Sequence, residues 1–284
     1  MAAASQVVDP LIGYVVEPSV HVMSWNIRRR VRHLIPKAVD RWDRRAPALR
    51  ELLQAERPTL LGVQEALPDQ ARFVGDSLGD GYRQVGHGRA ADGRGEGCPI
   101  YYDAERLQLR DWEQLALSNR PTRPGSTSWG NILPRILVSA TFEDRATSRQ
   151  FMVLNTHLDH LSARSRLRSA QAIRDVVSTA VLPAVVMGDM NAGAGSVPLR
   201  KLLGSGLLAE TWAKAQSHDS EEWGTYSNYQ TPRSGIDRLD WILASPAFRV
   251  DRAAINQQRN ADAWASDHLP VQAVLILSGN PPHR

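Results

Sequence analysis

The chain has 284 residues, 42% of them hydrophobic and 23% charged, with a formal net charge of +4. This length and apolar content suit one large domain, expected over residues 1–284 with its core at about 20–278. The lone Cys98 excludes an intrachain disulfide framework and a multi-cysteine zinc site, no apolar run approaches a membrane span, and Met1 to Val20 lacks a secretion signal's basic start and apolar block, so a soluble cytoplasmic protein is expected.

His21 to Ile27 reads as a strand holding Asn26 near its end. Arg28, Arg29, Arg30, Arg32, His33, Lys37, Arg41, Arg44 and Arg45 follow, either as a solvated face or as a surface for substrate phosphate. Lysine is otherwise found only at 201 and 214, an arginine bias that suits phosphate recognition but that a GC-rich genome also produces. Arg44 to Ala55 carries Leu49, Leu52 and Leu53 at helical spacing, and Thr59 to Val63 is a second buried strand ending in Gln64 and Glu65. Gly86 to Pro99 and Ser118 to Gly130 read as loops of the kind that carry substrate contacts. Gln150 to Leu154 is a strand running into Asn155, Thr156 and His157; Leu167, Ala170, Ile173 and Val177 mark an amphipathic helix; Ala184 to Met187 is a strand running into Asp189. Strand, helix and strand thus occur twice, with polar groups at the strand ends. Two such halves would pack as sheets face to face, helices outside, with the polar ends at one edge. Leu239 to Ala244 and Val271 to Leu277 read as closing strands, and Gly279 to Arg284 as a frayed tail.

Buried strands that stop at carboxylates and imidazoles deliver charge to a sheet's rim, where hard metals and phosphates are met. Glu65 suits a divalent ion, with substrate oxygens and water completing magnesium's octahedron; a strand-end glutamate in solvent is the alternative. Asp189 and Asn191, two positions apart after Gly188, can face the same way, the carboxylate accepting from a water and the amide steadying it for in-line attack at phosphorus; an Asx turn is the alternative. Asp240 lies inside the apolar segment Arg238 to Leu243 and demands a partner. His268, in Ser266-Asp267-His268, is the simplest one. A hydrogen bond between them is predicted to orient the ring and raise its pKa, leaving an imidazolium to stabilise charge on a phosphate oxygen. Asp267 could take metal or fix the local turn. His157, grouped with Asn155 and Asp159, could supply a second donor to phosphate. Residues 157–160 also resemble the tail of the His-x-His-x-Asp-His zinc signature of metallo-β-lactamase-like hydrolases, which needs histidine where this chain has Asn155.

Taken in order, Trp25-Asn26-Ile27, Gln64-Glu65, Asn155-Thr156-His157-Leu158, Gly188-Asp189-Met190-Asn191, Arg238-Leu239-Asp240-Trp241 and Ser266-Asp267-His268 resemble the motifs of the endonuclease/exonuclease/phosphatase superfamily. The resemblance implies a deoxyribonuclease I-like α/β fold, a four-layered sandwich of two mixed β-sheets packed face to face with helices outside, and Mg2+- or Mn2+-dependent cleavage of a phosphoester. Glu65 resembles the principal metal ligand, with Asn26 beside it and Asp267 as a further ligand. Asp189 and Asn191 match the positions that orient the attacking water, His157 a phosphate-contacting histidine, and His268, held by Asp240, the histidine that stabilises the transition state. Within the superfamily, Gly95 to Tyr102 resembles the Gly-Glu-x-x-Pro-Ile-Phe-Tyr stretch of the bacterial metal-dependent hydrolases, and Trp129 with Pro134-Arg135 their following loop. There Glu96 and Arg135 would line the pocket, to which Arg28 and Asp159 are added as substrate-binding candidates. That branch's Asn-Ile-Arg-Tyr-Asp is replaced here by Asn26-Ile27-Arg28-Arg29-Arg30. The expected function is a phosphodiesterase or nuclease-like hydrolase, the alternative a phosphatase of a small phosphorylated metabolite or lipid headgroup. The expected partner is the phosphoester substrate, with nucleic acid as one candidate, and no obligate protein partner. From another class, a non-catalytic protein could bind nucleic acid through the Arg28 to Arg45 stretch.

Overall fold

The computed structural model describes residues 9–31, 38–236, 238–259 and 263–278, so Arg32, His33, Lys37 and the tail from Gly279 lie outside the described residues. In chain order the elements are β1 (Ser19–Asn26), α1 (Trp42–Glu56), β2 (Leu60–Gln64), α2 (Pro68–Leu78), β3 (Tyr82–Val85), β4 (Ile100–Asp103), β5 (Leu107–Ala116), β6 (Ile136–Asp144), β7 (Arg149–His157), α3 (Ala163–Thr179), β8 (Ala184–Asp189), α4 (Val197–Leu203), β9 (Ala209–Glu210), α5 (Thr211–Lys214), β10 (Ser217–His218), β11 (Asp240–Ala244), β12 (Phe248–Ile255) and β13 (Val271–Leu277). No helix among the described residues is long and apolar enough to cross a membrane.

The strands form a seven-stranded sheet, β10-β12-β13-β1-β2-β4-β3, and a six-stranded sheet, β5-β6-β7-β8-β11-β9. Each contains one parallel pair joined through a helix: β1 with β2 across α1, and β7 with β8 across α3. All other pairings except that of β10 with β12 are antiparallel.

Side chains alternate between the faces of a strand, and that period of two decides what each element buries. Val20 and Val22 of β1, Leu60 of β2, Phe151 and Val153 of β7, Val185 and Met187 of β8 and Ile242 of β11 point into one core between the sheets. The intervening residues face outward, Met23, Trp25, Leu61 and Val63 against α1 and α2, and Leu154, Val186, Trp241 and Leu243 against α3 and α4. The result is the expected four-layered sandwich.

One consequence of the same alternation is a polar row where the inter-sheet core meets the rim. Asn155 is fully buried there, one residue pair inward of His157. Its amide donates to the carbonyls of Val63, Cys98 and Pro99 at 2.9, 3.0 and 2.9 Å, and its oxygen accepts from Gln64 Nε2 at 2.7 Å. Asn155 and His157 lie inside β7, not beyond it, because β8 pairs with β7 out to His157↔Asp189. A position that ties the two sheets together faces no cavity, so it could not serve the zinc signature that residues 157–160 echo.

Replacing Asn155 with Ala would leave three carbonyls and the Gln64 amide with one partner fewer in a dry interior. The expected loss is about 2–4 kcal/mol, read from urea unfolding, and a variant within about 0.5 kcal/mol of wild type would remove Asn155 as the sheet-to-sheet tie.

Candidate active site

Register places the inward-facing polar residues of three strands in one row. His157 of β7 pairs with Asp189 of β8, and Asp240 of β11 pairs with Asp189 from the other side. Gly188 makes this close approach possible. Its φ is 145°, and a Cβ built there would lie 2.0 Å from the Thr156 carbonyl oxygen, so any side chain would push β8 away from β7. From the facing sheet, Asn26 at the end of β1 donates its amide to Asp189 Oδ2 at 3.0 Å and to Glu65 Oε1 at 3.2 Å. Glu65 and Asn191 take left-handed φ values of 61° and 46°, a conformation that asparagine tolerates but a glutamate holds only where its surroundings impose it.

Asp189 Oδ2 is the meeting point. Besides Asn26, the Nε2 atoms of His157 and His268 stand 3.6 and 3.8 Å from it, and its Oδ1 accepts the Asn191 backbone N–H at 2.9 Å. Asn191 is itself anchored through its amide to the Leu158 carbonyl at 2.9 Å. His268 Nδ1 donates to Asp240 Oδ2 at 2.8 Å, the pairing that the strand-buried aspartate demands. The segment bearing His268 is fastened to β1: Ser266 Oγ donates to the Asn26 carbonyl at 2.6 Å, and Trp25 Nε1 to the His268 carbonyl at 3.0 Å.

The two imidazoles are charged differently. Burial lowers the His157 pKa to about 4, outweighing the pull of Asp189, so this ring is neutral in neutral solution. Burial also opposes charge on His268, but Asp240 and Asp189 overcome it and raise the pKa to about 10, leaving an imidazolium. Burial, with Asp240 close by, pushes Asp189 up, toward the range of a carboxylate that can take a proton. Glu65 is the opposite case. Burial raises it, yet His157, the Arg29 N–H, the Asn26 amide and Arg28 together bring it down to about 2. Since His157 is uncharged above about pH 4, the last three hold Glu65 ionised at neutral pH.

These groups open into a cavity of about 300 Å3. Glu65, His157, Asp189, Asn191, Asp267 and His268 line it, together with Arg28, Glu96 and Arg135. Three of the residues picked out in the sequence do not line it. Asn26 stands behind Glu65 and Asp189, Asp240 behind His268, and Asp159 behind Arg135, where it accepts Arg135 Nε at 3.2 Å and the N–H groups of Leu161 and Ser162 at the start of α3. Arg45, part of the basic stretch, is fully buried and donates to the carbonyls of Ile27, Arg28 and Ala265, so it is a structural tie. Arg30 pairs with Asp69 and Arg41 with Asp43, which leaves only Arg28 and Arg29 of that stretch in the cavity wall among the described residues. Arg89 and Tyr226, whose ring lies 5.0 Å from that of His268, line the cavity without being singled out in the sequence, and His160, known there only as the last position of the zinc-like signature, lines it too. Arg89 falls in the Gly86 to Pro99 loop, but nothing distinguishes it there from other arginines.

The oxygen-rich set fits a hard divalent cation. Glu65 is ionised, Asp267 lies across the same opening, and positive charge already collects between them in the Arg28 guanidinium, 4.0 Å from Glu65 and 3.6 Å from Asp267. Asn26 contributes only if its amide turns, since its oxygen now accepts the Arg28 N–H at 3.0 Å. A second grouping also has a metal's spacing: ligand atoms of Asp189, Asp240 and His268 lie within 4.8 Å of one another. There, however, the His268 Nδ1–H is donated to Asp240, and an imidazolium has no lone pair to offer.

Residues 23–268 match the model of the Endonuclease/Exonuclease/phosphatase family, which spans every group in this site. The chain belongs to that family. A family member from Bacteroides thetaiotaomicron is similar in structure, with a TM-score of 0.83, 26% identity, and 92% of this chain and 98% of that one covered. A mannosyl-6-phosphatase of the same organism superposes with a TM-score of 0.81 at 25% identity, covering 90% of this chain and 99% of that one. Human nocturnin is 23% identical over 266 residues, covering 84% of this chain; the chain spans only 59% of nocturnin's length.

The His268 pair carries a pH signature. Its folded-state pKa of about 10 lies above the ordinary 6.5, so the pair's contribution to stability is complete below pH 6.5 and is lost as pH rises through about 10. Replacing Asp240 with Asn is expected to bring the ring's titration, followed by histidine NMR, down to within about 1–2 units of neutrality and to remove that alkaline loss of stability. A ring that still titrates near its wild-type value in D240N would show that Asp240 does not hold the charge.

Proposed function

We propose that this protein is a divalent-metal-dependent phosphoester hydrolase acting on a compact phosphorylated molecule. The observation that carries the reading is the convergence of Glu65, Asp189 with Asn191, His157, and the Asp240–His268 pair on one cavity. Glu65 and Asp267, with Asn26 if its amide turns, would hold Mg2+ or Mn2+. When bound, such an ion polarises a phosphoryl oxygen and offsets the charge that develops on it. Asp189, held by the Asn26 amide and the Asn191 N–H, accepts a proton from the attacking water, which Asn191 helps to place, and its raised pKa suits it to that task. The His268 imidazolium faces the phosphoryl oxygens as they gain charge, oriented by Asp240 so that no reorganisation is needed when the reaction occurs. Neutral His157 hydrogen-bonds to phosphate without adding a second buried cation beside His268.

Two features favour a small substrate over a polymer. The cavity, about 300 Å3, is at the lower end of metabolite sites. Within its wall Arg135 is held by Asp159 through Nε and by His160 Nδ1 at 3.0 Å through one terminal nitrogen, while its other, NH1, is buried with no partner. A buried donor of that kind is satisfied when a substrate oxygen arrives. In the same wall, Glu96, paired with Arg89 at 2.9 Å and Arg29 at 3.3 Å, offers acceptor oxygens to hydroxyl groups. The resemblance to a mannosyl-6-phosphatase agrees with a phosphorylated polyol as substrate. The nuclease-like alternative keeps only Arg28 and Arg29 of the described basic stretch.

The decisive assay measures phosphate release from sugar phosphates and cleavage of oligonucleotides, with and without Mg2+ or Mn2+. Metal-dependent turnover of the small esters is expected, falling by roughly 1,000-fold or more in Glu65→Ala and Asp189→Ala. Absence of turnover with either metal would end the hydrolase reading; turnover that needs no metal, or variants as active as wild type, would end the metal-dependent reading of this site; preference for the oligonucleotide would replace the small substrate with a polymer.

A further inference from the structure

The backbone at Arg28 is fixed while its guanidinium is not. With φ at 54°, the residue donates its N–H to Asn26 Oδ1, and its carbonyl accepts from Arg45 NH2 at 3.0 Å and Gln70 Nε2 at 3.1 Å. The next N–H, of Arg29, is held by Glu65 Oε2 at 3.0 Å. Around the guanidinium stand three carboxylates, Asp40 at 3.6 Å, Asp267 at 3.6 Å and Glu65 at 4.0 Å, all beyond hydrogen-bond length, and the buried Nε has no hydrogen-bond partner. Where this chain docks an arginine firmly the geometry differs: Arg106 grips Asp144 with two parallel bonds of 2.6 and 2.9 Å. Arg28 is centred among negative charges without being bound to any one of them, and its side chain, 31% exposed, has a way out.

A guanidinium and a divalent ion cannot share that seat, because like charges about 4 Å apart in a partly buried site repel strongly. Resting on the phosphoesterase reading, we propose that the Arg28 guanidinium is the resident counter-cation of the acidic seat formed by Glu65 and Asp267. The divalent ion displaces it, and the displaced head moves onto the substrate's phosphate. The fixed backbone keeps the head in the same cavity, where a bound phosphate lies within reach and matches a guanidinium's fork of donors. Metal and phosphate binding are thereby coupled through one side chain: the ion frees the arginine that the phosphate then uses.

The test is calorimetric titration with Mn2+, then with inorganic phosphate on the Mn2+-saturated proteins, for wild type, Arg28→Gln, Arg28→Ala, Arg28→Lys, Glu65→Ala and the distant charge control Arg110→Ala, each checked for folding by its melt. Both neutral variants at Arg28 are expected to bind Mn2+ at least roughly tenfold tighter than wild type and phosphate at least roughly tenfold weaker. Arg28→Lys keeps the charge and stays near wild type toward Mn2+, as does Arg110→Ala. Folded Arg28→Gln or Arg28→Ala with unchanged or weaker Mn2+ affinity overturns the role given to Arg28 and leaves the hydrolase reading standing. Wild type that binds no Mn2+, or Glu65→Ala that binds it as well as wild type, overturns the hydrolase reading itself, and the Arg28 inference with it.

Discussion

A carboxylate at the end of a buried strand cannot be left unpartnered, and in this protein that requirement shapes a whole edge of the sandwich. Asp189 is almost fully buried, and everything around it is set to accommodate its charge. Strand register brings His157 and Asp240 to its two sides, the opposite sheet sends Asn26 across, and the segment carrying His268 is fastened by Ser266 and Trp25 so that its ring comes within 3.8 Å. Apart from that of His157, which shares the β7-α3-β8 unit with Asp189, these contacts cross from one supersecondary unit to another. The site is therefore a property of the assembled sandwich, and a one-residue slip of β8 would turn Asp189 toward α3 and dissolve it.

What distinguishes the two histidines follows from their neighbours. Both rings are buried and both approach Asp189, yet one is neutral and the other cationic. The difference is Asp240, hydrogen-bonded to His268 on the side away from the cavity, whereas His157 has no carboxylate behind it and feels Arg135 and His268 as opposing charges. One edge of the fold thus offers a neutral donor and a cationic one a few ångströms apart. In the proposed reaction the neutral ring can bind a ground-state phosphate, and the cation meets the charge that grows on the way to the transition state.

The two parallel strand-helix-strand units are legible in the sequence because their strands are buried on both faces and read as unbroken apolar runs, while Leu167, Ala170, Ile173 and Val177 keep a helical period. The Asp240–His268 pairing is legible for a related reason: a charge inside such a run must have a partner. The β5–β6 hairpin is not. β5 is a half-exposed edge strand, with Arg110, Asp111 and Glu113 along its middle, so its composition matches a loop as well as a strand. Nor does a local pattern separate the roles of arginines. Arg45 is a buried clamp on carbonyls, Arg28 a caged charge and Arg41 a surface partner of Asp43, although all belong to one basic stretch. Asp159 shows the same limit at closer range: two residues from His157, it turns away from the cavity to begin α3 and steady Arg135.

In the proposed function, substrate selection sits on a different part of the fold from the reacting groups. Glu65, Asp189 and the histidines stand at strand ends, whereas Glu96 and Arg89 come from the connection between β3 and β4, and Arg135 from the residue before β6. Strand ends are held by ladders on both sides and cannot drift; connections can change length without disturbing the sheets. Arg135 joins the two regimes. Asp159, which orients its guanidinium, is also the residue whose carboxylate accepts the first free N–H groups before α3, so the helix that covers the six-stranded sheet also aims the unpartnered NH1. A new substrate could be accommodated by altering the residues around Glu96 while the hydrolytic groups stay where the strands put them. A change at Asp159 would disturb the start of a helix and the pocket together.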